Sequence, residues 1–265
     1  QFNIHKKTLL KLLSFSSPLV LSSAAFYIFS YSDRWMLQYF ESSETVGIYG
    51  AASRIASLAA VLHVLSRYSF MPLIYANYKK KQTAEDVGEI FTQAIYIGAI
   101  LSSGIFLFRE EIISIVLGEQ FLRSSEIVGL MSVSIILMNS YFFLPGLGIA
   151  KKTLLMASIS VFVAILNILG NYLLIPIFSI TGAAISSFIS SLSMVILYFV
   201  LGQREYKIFF DYSKVLSLLM ICVALTSYII VLYDNFIFLK ILYMLALLLL
   251  YGVLSRNFIL KVFRK

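Results

Sequence analysis

Apolar residues fall into runs separated by short polar stretches, at roughly 9–31, 45–72, 89–108, 127–149, 153–175, 181–202, 213–233 and 236–254. A helix rises about 1.5 Å per residue, so about 20 residues cross the roughly 30 Å hydrocarbon core of a bilayer, and each run is near that length. In hydrocarbon every backbone N–H and C=O needs an internal partner, which helices supply; a barrel would show alternating stretches of about 10 residues. The pattern predicts an all-α, polytopic membrane bundle of eight transmembrane helices. The longest connector, near 73–88, is too short to hold a separate soluble domain. Glu110 to Gly118 is too short to span. Its two leading acidic residues and the apolar patch behind them predict a helix in the outer interface stopped by Gly118, or an extension of the preceding span.

Composition agrees with this solvent. Hydrophobic residues are 60% of the 265 positions and charged residues 13%, leaving more apolar surface than a soluble domain could bury. The net charge of +8 sits in short clusters between apolar runs, not in one stripe, which argues against nucleic acid as a partner and for topology signals. With the N-terminus in the cytoplasm, the basic residues gather there, around Lys6, Lys79 to Lys81, Lys151, Lys152, Arg204 and Arg256. The opposite loops keep Arg34, Arg109 and Arg123, with Lys240 near the outer end of the last span. The positive-inside bias thus predicts eight crossings with both termini cytoplasmic. Cys222 is alone in an apolar run, so no disulfide framework or thiol pair exists. The chain begins with Gln1 and has no cleavable leader pattern, from which an absent upstream segment is expected.

Small residues recur at helical spacing in Ala52, Ala56 and Ala60, in Ala94, Gly98 and Ser102, and in Gly182, Ser186 and Ser190 beside Ala183, Ser187 and Ser191. Such ridges let helix backbones approach closely in lipid and are read as packing. Arg54 lies about 13 Å inside the second run, too deep to snorkel easily, and is expected to face a water-filled cavity or a partner. Arg67, on the same run, lies near the cytoplasmic interface and is read as snorkelling. Asp33 and Arg34 close the first run beside Trp35, an interface anchor, with a cavity role as the alternative. Asn167 and Asn171, one turn apart, can hydrogen-bond to a neighbouring helix, and Asn139 can do the same. Pro18, Pro72 and Pro145 are candidate interruptions. Neither His5 nor His63 has a ligand partner at metal spacing, and no P-loop, nucleotide-binding glycine motif or hydrolase elbow appears. No metal, cofactor or catalytic residue is therefore expected, and the outer loops are too short for a glycosyltransferase or polymerase site.

Several stretches resemble the polysaccharide-exporting, O-antigen flippase-like branch of the multidrug/oligosaccharidyl-lipid/polysaccharide exporter superfamily. They are Ser32-Asp33-Arg34-Trp35-Met36-Leu37 with Val46-Gly47-Ile48-Tyr49, then Phe70-Met71-Pro72-Leu73-Ile74-Tyr75, then Val116-Leu117-Gly118 with Phe121. The most specific is Asn167-Ile168-Leu169-Gly170-Asn171-Tyr172-Leu173-Leu174-Ile175-Pro176 running into Ser179-Ile180-Thr181-Gly182-Ala183-Ala184. The resemblance implies the second lobe of a MATE-like transporter of 14 helices, residues 1–205 forming a six-helix lobe and 206–265 two further helices with a basic tail, the first lobe being absent. It implies a multi-pass protein of a bacterial plasma membrane that flips an undecaprenyl-pyrophosphate-linked oligosaccharide outward by alternating access, without chemistry. Its partners would be membrane lipid, that substrate and the missing lobe. Arg54 and Arg34 would meet the anionic pyrophosphate, with Asp33, Asn139, Asn167 and Asn171 as further cavity candidates. The alternatives are a cation-coupled drug exporter of the same superfamily, which would need an acidic residue inside a span, where none is expected, and a membrane polymerase.

Overall fold

The apolar runs become helices whose ends depart from the hydropathy boundaries for local reasons. The computed structural model describes residues 6–209, 216 and 237–256, and no strand occurs among them. The first helix, α1 (Lys6–Phe40), continues well past the run at 9–31, so Ser32, Asp33 and Arg34 lie inside it. It ends where Ser42 caps its successor: the Thr45 amide donates to Ser42 Oγ at 3.2 Å. The second run is split into α2 (Ser43–Leu58) and α3 (Val61–Asn77), bent by 48°. Neither proline nor glycine stands at the bend. The amides of Ala59 and Ala60 reach back only three residues, to Ala56 and Ser57, and Ser57 Oγ donates to the Arg54 carbonyl, a local competition that bends helices. Pro18 and Pro72, by contrast, lie within α1 and α3.

Next come α4 (Lys81–Leu107) and the short α5 (Arg109–Val116), a separate helix and not an extension of α4. It stops at Gly118, which sits at φ 90° and whose amide donates to the Ile113 carbonyl. After a 3₁₀ segment (Glu119–Ser124) comes α6 (Ser125–Ser140), and after a second (Tyr141–Phe143) comes α7 (Gly146–Ile149), with Pro145 at its entry. The longest element is α8 (Thr153–Glu205), with 53 residues. At about 1.5 Å each these would span some 80 Å, far more than one crossing. Ser179, at φ 53° and ψ −132°, breaks it, and the arms 153–178 and 180–205 run antiparallel. A Cβ on Gly182 would come within 2.3 Å of the Leu174 carbonyl oxygen, so only glycine lets the arms close at the turn. At the open end Lys152 Nζ meets Glu205 Oε1 at 2.7 Å, and Gly146 packs on the Gly202 backbone. The last described helix is α9 (Ile237–Leu254).

By length and composition five helices can cross a bilayer, or six with the bent pair α2 and α3 taken as one span. With the two arms of α8 taken separately, the described crossings number seven, and the expected run at 213–233 lies outside the described residues.

Two compact units divide the chain, residues 1–46 with 144–207 and residues 47–143 with 208–265. In the first, α1 runs parallel to the first arm of α8, with Ser22 and Ser160 hydroxyls 2.7 Å apart, and α7 packs on α8. In the second, α4 and α6 run antiparallel; Phe106 covers Gly129, and Ile136 and His63 cover Gly98. The last helix lies antiparallel along α4, where Met244 covers Gly104 and Ser255 donates to Gln93 at 2.7 Å, and its first turn reaches α5, where Lys240 pairs with Glu111 at 2.8 Å. Tyr96, Ile100, Leu107, Tyr243 and Leu247 form the buried cluster between them. The small-residue ridges on α2, α4 and α8 all face inward, as their reading as packing surfaces expects.

Candidate functional site

Three of the sequence-picked polar residues are brought into one buried cluster in the first unit, and the α8 hairpin is what assembles it. On α1, Ser32 and Asp33 turn toward the hairpin. The first arm supplies Asn167 and Asn171, one turn apart and fully buried; the second supplies Ser186 and Ser187 at the same height. Asp33 accepts from Asn171 Nδ2 at 2.6 Å on one carboxylate oxygen and from Ser187 Oγ at 2.7 Å on the other. Ser32 Oγ donates to Asn167 Oδ1 at 2.6 Å, and Ser186 Oγ donates to the Asn167 carbonyl at 2.9 Å. Asn167 Nδ2 reaches Ser186 and Ser187 at 3.4 Å each, and Asn171 Nδ2 also lies 3.3 Å from Asn167 Oδ1.

A carboxylate withdrawn from water costs several kcal/mol unless hydrogen bonds replace its hydration, and bonds to a charged group are worth about 1.5–3 kcal/mol each. The donors from both arms supply that replacement, so Asp33 ties α1 to both halves of the hairpin. The structure corrects the expected helix end: Asp33 lies inside α1 and not at its close, and it is 6% exposed, withdrawn from solvent among protein groups. The run boundary at residue 31 misplaced it because α1 continues to Phe40. Asn171 Oδ1 is buried without a hydrogen-bond partner among the described residues.

Arg34, the next residue, is half-buried; its Nη1 donates to the Ser30 carbonyl at 3.1 Å and its guanidinium lies 5.5 Å from the Tyr31 ring centre. Arg54 and Asn139 belong to the second unit. Arg54 is exposed at mid-helix on α2, opposite a face built from Ala51, Ala52, Ile55 and Ala56, and its side chain makes no hydrogen bond or ion pair among the described residues. Asn139 is half-buried on α6 and spends its amide on the Ile135 carbonyl of its own helix, at 2.8 Å. Arg67 is half-buried with its guanidinium 3.5 Å from the Phe142 ring centre, a cation–π contact. No three His, Cys, Asp or Glu side chains gather at metal-binding range among the described residues. The cluster's serines were missed as polar partners because their spacing reads equally well as a packing ridge, and only the hairpin turns them toward Asp33.

A family described as polysaccharide biosynthesis protein matches residues 1–76. A curated relative, the probable low-salt glycan biosynthesis flippase Agl15 of Haloferax volcanii, is 24% identical over 209 residues, covering 77% of this chain and 44% of its own length. Among solved structures the fold is shared with the lipid II flippase MurJ in its inward closed conformation, at a TM-score of 0.73 and 12% identity, covering 98% of this chain and 57% of that one. The chain thus spans about half the length of the proteins it matches. Both similar proteins are named as flippases.

Proposed function

We propose that the chain is the C-terminal lobe, with its two further helices, of a transporter that flips an undecaprenyl-pyrophosphate-linked oligosaccharide to the outer leaflet by alternating access. The observation that carries the reading is Arg54. A guanidinium deep in a bilayer costs at least about 2.5–3.5 kcal/mol unless water or a partner receives it. Its side chain points away from the packed face of α2 and finds no partner among the described residues. A water-filled path bearing an anion accounts for both facts, and a pyrophosphate offers paired oxygens to the planar fork of arginine. The remaining lobe, in the part of the relatives that this chain does not cover, would close the path, and rocking of the two lobes would move the site between leaflets without a covalent step.

The test is Arg54→Ala in the full-length transporter, with surface glycan and membrane abundance measured side by side. Sharp loss of glycan at normal abundance is expected, with partial recovery in Arg54→Lys, which keeps the charge but not the fork. Normal glycan at normal abundance in the alanine variant overturns the reading. One observation favours a second reading, a cation-coupled drug exporter of the same superfamily: Asp33 is a buried carboxylate inside a long apolar helix, the residue type such a protein would use for coupling. Drug efflux from vesicles that fail to move lipid-linked glycan would select it.

A further inference from the structure

We propose that the exposed face of α1 is a glycan-stacking strip, made by Tyr27, Tyr31, Trp35 and Tyr39, along which the sugar portion of the cargo moves. The proposal rests on the flippase reading for its cargo and adds which part of that cargo is recognised, and where.

Two faces of α1 repeat in step. Ala25, Phe29, Asp33 and Leu37 are buried, and Tyr27, Tyr31, Trp35 and Tyr39, each two positions further and so about 200° around the axis, are exposed. The exposed rings touch one another. Tyr27 and Tyr31 have centroids 4.6 Å apart; Tyr31 and Trp35 lie 6.4 Å apart with planes 26° from parallel. Tyr39 leans on Phe40 at 5.0 Å, and the Arg34 guanidinium rests by Tyr31. From Tyr27 to Tyr39 the strip runs about 18 Å along the helix.

An aromatic belt at the membrane surface is the ordinary explanation for such rings, and the neighbouring arm of α8 tells against it. That arm runs parallel to α1 at an offset that shortens along it, 138 residues for Ser22 with Ser160, 138 and 135 for Asp33 with Asn171 and Ser32 with Asn167, and 132 for Phe40 with Tyr172. Tyr27 and Tyr31 therefore share their heights with the exposed aliphatic residues Ile165, Ile168 and Leu169, while Tyr172 stands level with the Trp35 to Phe40 end of the strip. A belt follows depth and would place aromatics on both helices at one level; the headgroup zone is also only about 5–8 Å deep on each side. Tyr172 alone carries a phenol on that arm, and its ring is edge-on to Phe40 at 5.9 Å. The contrast at Tyr27 and Tyr31 follows the face, not the depth, and a strip of about 18 Å is longer than a headgroup zone, so on this proposal the two faces meet different surroundings: hydrocarbon on α8, a polar path on α1. Phenol hydroxyls far inside a bilayer need hydrogen-bond partners, which such a path provides.

Sugars suit this surface. One face of a pyranose is a sheet of slightly positive C–H groups that fits the negative face of an aromatic ring, while the hydroxyls at its rim meet the phenol oxygens and water. A row of rings binds no one sugar tightly, which a moving cargo requires, and Arg34 beside the strip attracts the anionic end of the same molecule.

Trp35 is the only tryptophan in the chain and reports on the strip directly. In the full-length protein in vesicles, the emission lost in Trp35→Phe should be quenched by acrylamide and not by brominated phospholipid. Quenching by the brominated lipid, or by neither reagent, overturns the proposal whatever the protein transports. Surface glycan should fall several-fold in Tyr31→Leu and Trp35→Leu at normal membrane abundance, and largely survive in Tyr31→Phe and Trp35→Phe. Unchanged glycan in the leucine variants sinks the strip and leaves the flippase reading standing. Conversely, a soluble oligosaccharide of the cognate repeat that shifts Trp35 emission in a protein that moves no lipid-linked glycan would keep the strip and remove the flippase.

Discussion

Asp33 concentrates the physics of the first unit in one side chain. Its two oxygens are served from different arms of the hairpin, by Asn171 and Ser187, so removing the carboxylate strands donors on both. A buried group left without its partner costs about 1–3 kcal/mol. Asp33→Ala should accordingly lower the melting temperature of the purified protein and its membrane abundance. Asp33→Asn keeps the shape but turns an N–H₂ toward one of the donors, so it should fall between wild type and alanine; a melting curve of Asp33→Ala that overlays wild type would show that the cluster is not a fastener. Asn167 and Asn171 were visible in the sequence as a polar pair on one helix face, but their partners were not. Ser186 and Ser187 look like any small residue in a packing ridge until the chain doubles back. Arg54 was visible for the opposite reason: a charge deep in an apolar run needs no partner to attract notice.

At the level of elements, the α8 hairpin is the feature on which the site depends. Ser179 holds a backbone conformation that costs a non-glycine residue about 1–3 kcal/mol, and the packing of the two arms offsets it. Ser179→Gly should therefore raise the melting temperature, since glycine adopts positive φ freely. Gly182→Val should do the reverse and reduce folded protein, because even its Cβ would sit 2.3 Å from the Leu174 carbonyl oxygen. If the glycine variant melts lower and the valine variant is unchanged, the turn is not the constraint it looks to be. The bend between α2 and α3 was not legible in the sequence. It arises at Ala59 and Ala60, good helix formers, where hydrogen bonds tighten to three-residue spacing after Ser57, while Pro72, the conventional breaker, sits inside α3.

For the molecule as a whole, topology is the testable quantity. In a Cys222→Ser background, Ser43→Cys should react with an impermeant thiol reagent in intact cells and Gln82→Cys should not; both positions are exposed in the structure, so lack of access would not confuse the outcome. Reversed labelling would invert the orientation derived from the positive-inside bias. The same experiment bears on α9, whose contacts run from Lys240 with Glu111 of α5 at one end to Ser255 with Gln93 of α4 at the other. Glu111 and Ser43 should lie on one side of the membrane if that orientation holds.

What the sequence determined alone was its solvent and its repertoire. Runs of about 20 apolar residues admit no other secondary structure in lipid, because an unpaired backbone group there costs too much, and an arginine deep in an apolar run identifies itself by charge alone. Tertiary structure decided everything that depends on two segments meeting. The paired arms of α8, the carboxylate bonded across them and the aromatic face of α1 set against the aliphatic face beside it all join residues more than a hundred positions apart or folded back through a turn. Hydropathy is a property of each residue and survives reading along the chain; register, partner and face are properties of pairs, and a linear pattern fixes them only once the helices have packed.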